Sequence, residues 1–267
     1  MKQMQTAKEL LGRSLAASGL DALLVGDAAV IVTFHRVHDG AAPSDSLTVS
    51  VQMFESYCCY FKRWFRVVPL RTLVDRLKTG RLAGRELAIT FDDGYLDNFE
   101  NAAPVLERLS LPATFFVVTQ WMDSEIVPFW DERRGVRHPW MTWDNVSSLH
   151  QRGFEIGVHT RTHVNLGRVS GSAAADEILG ARLELEDRLS APATSFAYPF
   201  GGRRHLTEEN RELVQAAGFA CCCSGFGGIN LKRTDPFSLL RIPISNFYAS
   251  PYQFVFDLAL GRTALQW

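Results

Sequence analysis

The sequence has no run of basic residues, no apolar segment long enough to cross a bilayer, no internal repeat and no cysteine spacing that suits a disulfide framework. Net charge is −1, and without a basic block the chain lacks the electrostatic footprint of a nucleic-acid-binding protein. The longest apolar stretch, Ala22 to Phe34, contains Asp27 and falls short of the roughly 20 residues a membrane span needs. The five cysteines fall as Cys58-Cys59 and Cys221-Cys222-Cys223. Adjacent cysteines pair poorly with each other, so they are expected to be small buried hydrophobes in a reducing compartment. The first residues lack a signal-peptide core, because Lys8, Glu9 and Arg13 interrupt the apolar positions. On these grounds a cytoplasmic location is expected, with membrane-peripheral association as the alternative. Met4, Ala7, Leu11 and Leu15 share one helical face, expected to pack on the domain, with a peripheral membrane contact as the alternative.

What remains is a chain rich enough in apolar residues, at 46%, to bury a substantial core. Apolar runs alternate with helical patterns from Val30 onward. Strands are expected at 30–34, 67–69, 87–91, 113–119, 154–158, 195–198, 219–223 and 239–244. Helices are expected at 51–64, 70–77, 98–109, 143–152, 173–189 and 207–217. Strand–helix alternation implies parallel βαβ units, and about eight short strands suit a distorted (β/α)7–8 barrel. We read residues 1–29 as an N-terminal helical extension and 30–267 as one barrel domain. In such barrels the chemistry sits at the C-terminal strand ends. Here those ends carry His35, Asp92-Asp93, His159 and a Pro199-Phe200-Gly201 turn.

Asp92 and Asp93 end an apolar strand and precede Gly94. Two neighbouring carboxylates repel each other and raise one pKa unless a cation shares the site. They read as one metal ligand and one base, although an Asp-Asp-Gly surface turn would look the same. His159 and His163 stand four residues apart, and such a pair can hold one metal ion on one side of a turn. Two unrelated loop histidines are the alternative, and Thr160 stands where a zinc-protease helix would carry glutamate. Combined with one aspartate, the pair makes the two-histidine, one-carboxylate set of a catalytic zinc site with an open position.

Thr90-Phe91-Asp92-Asp93-Gly94 and His159-Thr160-Arg161-Thr162-His163, in this order, resemble the first two motifs of the polysaccharide deacetylases, carbohydrate esterase family 4 or the NodB homology domain. Phe196-Ala197-Tyr198-Pro199-Phe200-Gly201 resembles the third. The resemblance covers roughly residues 30 to 245. It implies a metal-dependent hydrolase that removes N-acetyl groups from an N-acetylated sugar polymer or its lipid-linked precursor. It further implies Asp92 as base, Asp93, His159 and His163 as ligands of one divalent ion, expected to be zinc, and the Phe200 N–H as an oxyanion donor. An N-acetylated carbohydrate is the expected partner. No nucleic acid is expected, and membrane contact is not required.

Two departures stand out. Ala197 occupies the position where the third motif usually has the arginine that tethers the base, and no late Leu-x-His motif supplies the usual general acid. Phe34-His35-Arg36-Val37 resembles the early His-x-Val motif of the poly-N-acetylglucosamine deacetylase branch, which makes His35 the candidate acid. Arg241, on the last strand, is the candidate replacement tether. These departures leave a non-catalytic carbohydrate-binding barrel as the competing reading. Trp121, Phe129, Trp130, Trp140 and Trp143 are candidates for a sugar-stacking platform, with core packing as the alternative. His38, His138, His150 and His205 are expected to be structural or at the surface, and the charged residues of 173–189 to form a solvated face.

Overall fold

Near-continuous apolar runs form strands buried on both faces, the signature of a parallel sheet covered by helices. The computed structural model describes residues 2–18, 26, 28–40 and 45–260. The expected apolar stretch from Ala22, part of the 40–50 loop and the Met4 side chain therefore lie partly or wholly outside the described residues. Strands β1 (Ala29–Phe34), β4 (Arg66–Val67), β5 (Glu86–Phe91), β6 (Thr114–Val117), β7 (Glu155–Val158), β8 (Ser195–Ala197), β9 (Cys221–Cys223) and β10 (Ile242–Pro243) form one parallel sheet. Its order is β10-β1-β5-β6-β7-β8-β9, with β4 attached to β5. β1 and β5 are paired over their whole length, from Ala29 opposite Glu86 to Phe34 opposite Phe91. A parallel bridge between Cys223 and Leu239 brings the far edge round toward β10, so the sheet curls into the expected distorted barrel.

Alternation along the strands divides the interior. Val30, Val32, Phe34, Ile89, Phe91 and Phe115 face the larger core under the surrounding helices. Ala29, Ile31, Ala88, Phe116, Ala197 and Cys223 face a second cluster with the helix Leu70–Thr79. The helix Val51–Trp64 begins at Ser50, whose side chain accepts from the Met53 N–H, and buries Phe54, Tyr57, Cys58 and Phe61. Thr142 caps Trp143–Gln151 in a capping box with Asn145.

Two elements go beyond those expected, and two expectations need correction. A two-stranded parallel pair, β2 (Arg36–Val37) with β3 (Thr48–Val49), lies between the expected strand 30–34 and the expected helix 51–64. A final helix, Pro251–Ala259, follows the last strand. The N-terminal helix Lys2–Ser18 packs on that helix, but not through the expected stripe, since Leu11 is 52% exposed. The approach runs instead through Gly12, where a Cβ would stand 2.0 Å from the Tyr252 carbonyl oxygen, and through Lys8, paired with Asp257 at 2.8 Å. Close backbone contact selected the glycine face over the leucine face. Finally, Cys59 is exposed, while the other four cysteines are buried and all five are free thiols. Among the described residues no helix is long and apolar enough to cross a membrane.

Candidate active site

β1, β5 and β7 deliver His35, Asp92-Asp93 and His159 to one end of the barrel, and the three strand ends line one cleft of about 360 Å³. The chain reverses tightly as it leaves these strands. Asp93, Thr160, His163 and Phe200 all have φ between +59° and +76°, a conformation that costs a non-glycine residue about 1–3 kcal/mol and tends to collect at functional sites.

Asp93, His159 and His163 are buried, and their ligand atoms lie within 4.8 Å of one another. The His159 Nε2 stands 3.4 Å and the His163 Nε2 3.2 Å from Asp93 Oδ1, an oxygen with no hydrogen bond of good geometry. Burial pushes the Asp93 carboxyl up, but the two imidazoles hold it well below the usual carboxylate range. His159 Nδ1 lies 2.8 Å from the Ala197 carbonyl oxygen, which can only accept. Nδ1 therefore carries a proton, and in the neutral, metal-ligating form of the ring the Nε2 lone pair points at the carboxylate. Two acceptors facing each other in a buried site are unfavourable unless a cation lies between them, so this donor set fits a divalent metal ion.

The loop that presents the two histidines is held from several sides. The His159 N–H donates to the Val117 carbonyl, and Thr119 and Gln120 donate to the carbonyls of Thr160 and Arg161. Glu177 accepts from the Arg161 and Thr162 N–H groups at 3.0 Å each and from the Thr162 hydroxyl at 2.6 Å. Glu177 thus belongs to the site's scaffold rather than to a solvated face. Its spacing within a charged helix gave no signal of this. Trp121 stacks on the His163 ring at 4.9 Å between centroids.

Asp92 is held differently. The Arg241 guanidinium donates to both of its oxygens, Nη1 to Oδ1 and Nη2 to Oδ2, each at 2.7 Å. Arg241 is itself fully buried, donates to the Ser224 carbonyl at 2.5 Å and touches the hydroxyls of Thr33 and Thr90. Burial pushes the Asp92 carboxyl up, yet the Arg241 charge, helped by His159 and His35, holds it below the ordinary value. His35 lies in the cleft wall, outside the Asp-His-His cluster. Burial lowers its pKa against the opposing pull of Asp93 and Asp92.

Of the five aromatic candidates, Phe129 and Trp130 line the cleft, while Trp121, Trp140 and Trp143 are buried in the core. His205, expected to be structural or at the surface, is buried against Phe200 in the same cleft. Sequence reasoning missed Arg36, which is fully buried and bidentate to Asp131 at 2.8 and 2.9 Å and to Asp45 at 2.9 and 3.0 Å. This network ties the 121–141 excursion, with Phe129 and Trp130, to the end of β1. An arginine next to a candidate acid was the only available signal.

A curled parallel barrel with an Asp-His-His cluster and an arginine-held aspartate at its strand ends defines a hydrolase of the carbohydrate-deacetylase kind. A model of the polysaccharide deacetylase family matches residues 79–221, more than half of the chain. The chain belongs to the polysaccharide deacetylase family. It is 23% identical over 221 residues to YxkH of Bacillus subtilis, named as a polysaccharide deacetylase, covering 80% of this chain and 71% of that protein. It is 26% identical over 137 residues to the poly-beta-1,6-N-acetyl-D-glucosamine N-deacetylase of Escherichia coli, over 49% of this chain but only 20% of that protein's length. In fold it is similar to the deacetylase PplD of Streptococcus pyogenes, solved with acetate, at TM-score 0.74 and 19% identity, covering 85% of this chain and 96% of PplD. IcaB of Ammonifex degensii gives TM-score 0.71 at 22% identity, covering 88% and 97% of the two chains.

Proposed function

We propose that the protein is a metal-dependent N-deacetylase acting on an N-acetylated sugar polymer or its lipid-linked precursor, with Asp92 as its base. The observation that carries this reading is the buried Asp92 carboxylate, fixed by Arg241 at 2.7 Å beside an adjacent carboxylate that faces two histidine nitrogens. A divalent ion held by Asp93, His159 and His163 would supply Lewis acidity, polarising the acyl oxygen and lowering the pKa of a water.

The chain's own residues do the rest. Asp92, ionised and unable to rotate, takes the proton of the attacking water. Arg241 keeps that carboxylate charged and aimed. The Phe200 N–H, presented by a backbone at φ +59°, supports the oxygen on which negative charge develops. A departing amine needs a proton, and His35 in the cleft wall gives it. Burial that lowers an imidazole's pKa makes its cationic form the stronger acid. Arg241 occupies the role left open at Ala197, which removes the main motive for a purely carbohydrate-binding reading.

The test is acetate release from N-acetylglucosamine oligomers with and without chelator, together with two variants. His159→Ala is expected to lose both metal content and activity. Asp92→Asn is expected to keep the metal and lose turnover by at least the roughly 10²–10⁴-fold that base catalysis contributes. Full metal occupancy in His159→Ala, or near-normal turnover in Asp92→Asn, would overturn the assignment.

A further inference from the structure

The cleft mouth carries positive charge that its catalytic chemistry does not use. Arg204 lines the cleft. Arg203, its neighbour, lies over the Phe226 ring at 4.9 Å. Arg168 sits in the adjoining turn Leu166–Arg168, where a Cβ on Gly167 would stand 2.3 Å from the Arg204 carbonyl oxygen. The two turns therefore touch backbone to backbone. His205 feels both charges: burial lowers its pKa, and Arg204 and Arg168 lower it further.

None of these three arginines makes an ion pair with a carboxylate among the described residues. The nearby acids on the next helix are engaged elsewhere, Glu208 with Arg211 and Glu209 with the Gly171 N–H. Arg204 Nε lies 3.2 Å from His205 Nε2, while His205 Nδ1 already accepts from the Gly202 N–H. A neutral imidazole carries no charge, so the contact with His205 leaves the Arg204 charge uncompensated. Arg168 and Arg204 both act on the His205 ring, and Arg203 adjoins Arg204 in the chain; like charges gathered at one rim without acidic partners are relieved by an anion.

We propose that this rim is a subsite for an anionic group, phosphate or carboxylate, carried by the acetamido sugar itself or by the residue next to it. The inference rests on the deacetylase reading for its sugar component. The acetamido group goes to the cleft floor, where Asp92 and the candidate metal ligands stand, and the anionic group to the rim. Phe200, 39% exposed, and Phe129, 50% exposed, offer apolar faces at the mouth on which a pyranose stacks. A planar guanidinium fork matches phosphate and carboxylate oxygens, which a neutral polymer does not present.

The experiment is calorimetric titration of the Asp92→Asn protein at low ionic strength with three probes. These are a neutral N-acetylglucosamine trimer, a hyaluronan tetrasaccharide, which carries uronate, and a short-chain alkyl N-acetylglucosaminyl phosphate, which carries a phosphodiester. At least one anionic probe is expected to bind roughly tenfold more tightly than the neutral trimer, the scale of one charge-assisted hydrogen bond. The stronger of the two identifies uronate in a polymer or phosphate on a lipid-linked sugar as the source. The preference is expected to vanish in Arg203→Gln/Arg204→Gln, both exposed positions where folding is not at stake, and to shrink at high salt. Equal affinity for neutral and anionic probes, or a preference that survives the double substitution, overturns the proposal. Absence of acetate release by the wild type from every probe, with the binding preference intact, would instead overturn the deacetylase reading and leave the anion subsite standing.

Discussion

Replacing Arg241 by methionine tests the link between barrel and chemistry most directly. Arg241 is fully buried and Asp92 is 3% exposed, so the substitution leaves a carboxylate in the interior without the one cation that pairs with it among the described residues. Breaking a buried pair in this way costs about 3–5 kcal/mol, because the remaining charge stays desolvated. The same change strands the Ser224 carbonyl that accepts from Nε. Asp92→Leu alone leaves the guanidinium uncompensated and is expected to cost a similar amount. The double variant, Asp92→Leu/Arg241→Met, replaces both charges with apolar groups, an exchange that is often near neutral. Urea unfolding of the four proteins at one pH closes the double-mutant cycle. The expected coupling energy is at least about 2 kcal/mol, toward the upper part of the range found for residues in one buried network. All three variants should be inactive, so the readout is stability rather than rate. Additive costs, with a coupling below about 0.5 kcal/mol, would show that Arg241 does not hold Asp92 and would refute the tether.

Three further outcomes follow. Burial raises the Asp97 carboxyl to about 6, opposed by the Val37 N–H, the His38 charge and the Asn98 amide. A raised folded-state pKa stabilises the protein below the unfolded value and loses that contribution as pH rises through about 6. Asp97→Asn should therefore gain up to about 3 kcal/mol on the wild type between pH 4 and 7, and a pH-independent difference in urea midpoints would exclude this. Gly201 has φ +56°, and a Cβ there would stand 2.0 Å from the Gly225 nitrogen. Gly201→Ala should cost about 2–4 kcal/mol by thermal melting, through backbone strain and overpacking, and displace Phe200, whereas an unchanged melting temperature would show that the turn yields. His35→Ala should keep the metal and slow acetamide hydrolysis far more than hydrolysis of activated acetyl esters, whose leaving groups need no proton; equal slowing of both would mean that His35 only shapes the cleft.

The parts of the fold that were legible were those written in local chemistry. Continuous apolar runs gave the buried strands, and the Asp-Asp-Gly and His-x-x-x-His segments stood at strand ends. What escaped was set by distant partners. The sequence around Glu177 reads as an ordinary charged helix, and only the folded loop 159–163 turns it into a hydrogen-bond acceptor for that loop. Nothing local marks Arg36 as buried; Asp45 and Asp131, far apart in the chain, meet it only in the fold. The N-terminal helix shows an apolar stripe, yet it docks through Gly12 because backbone proximity outweighed the side-chain pattern.

The Arg241–Asp92 pair shows how a carboxylate at one strand end can be held from a strand that is not its neighbour. Asp92 ends β5, β1 is its neighbour, and β10 lies beyond β1. Arg241, just before β10, therefore has to reach across one whole strand. It does so over the inner face, where Thr33 on β1 and Thr90 on β5 offer hydroxyls instead of bulk and Phe116 provides a ring 5.4 Å from the guanidinium. Ala197, at the end of β8, lies in the same inner cluster as Phe116. In a curled barrel that inner space is shared by strands on opposite sides, so a long side chain can enter it from either. An arginine at 197 would claim the volume and the carboxylate that Arg241 now holds, and two buried guanidiniums on one aspartate would leave one positive charge without a partner. The small residue at 197 is therefore the complement of the arginine at 241.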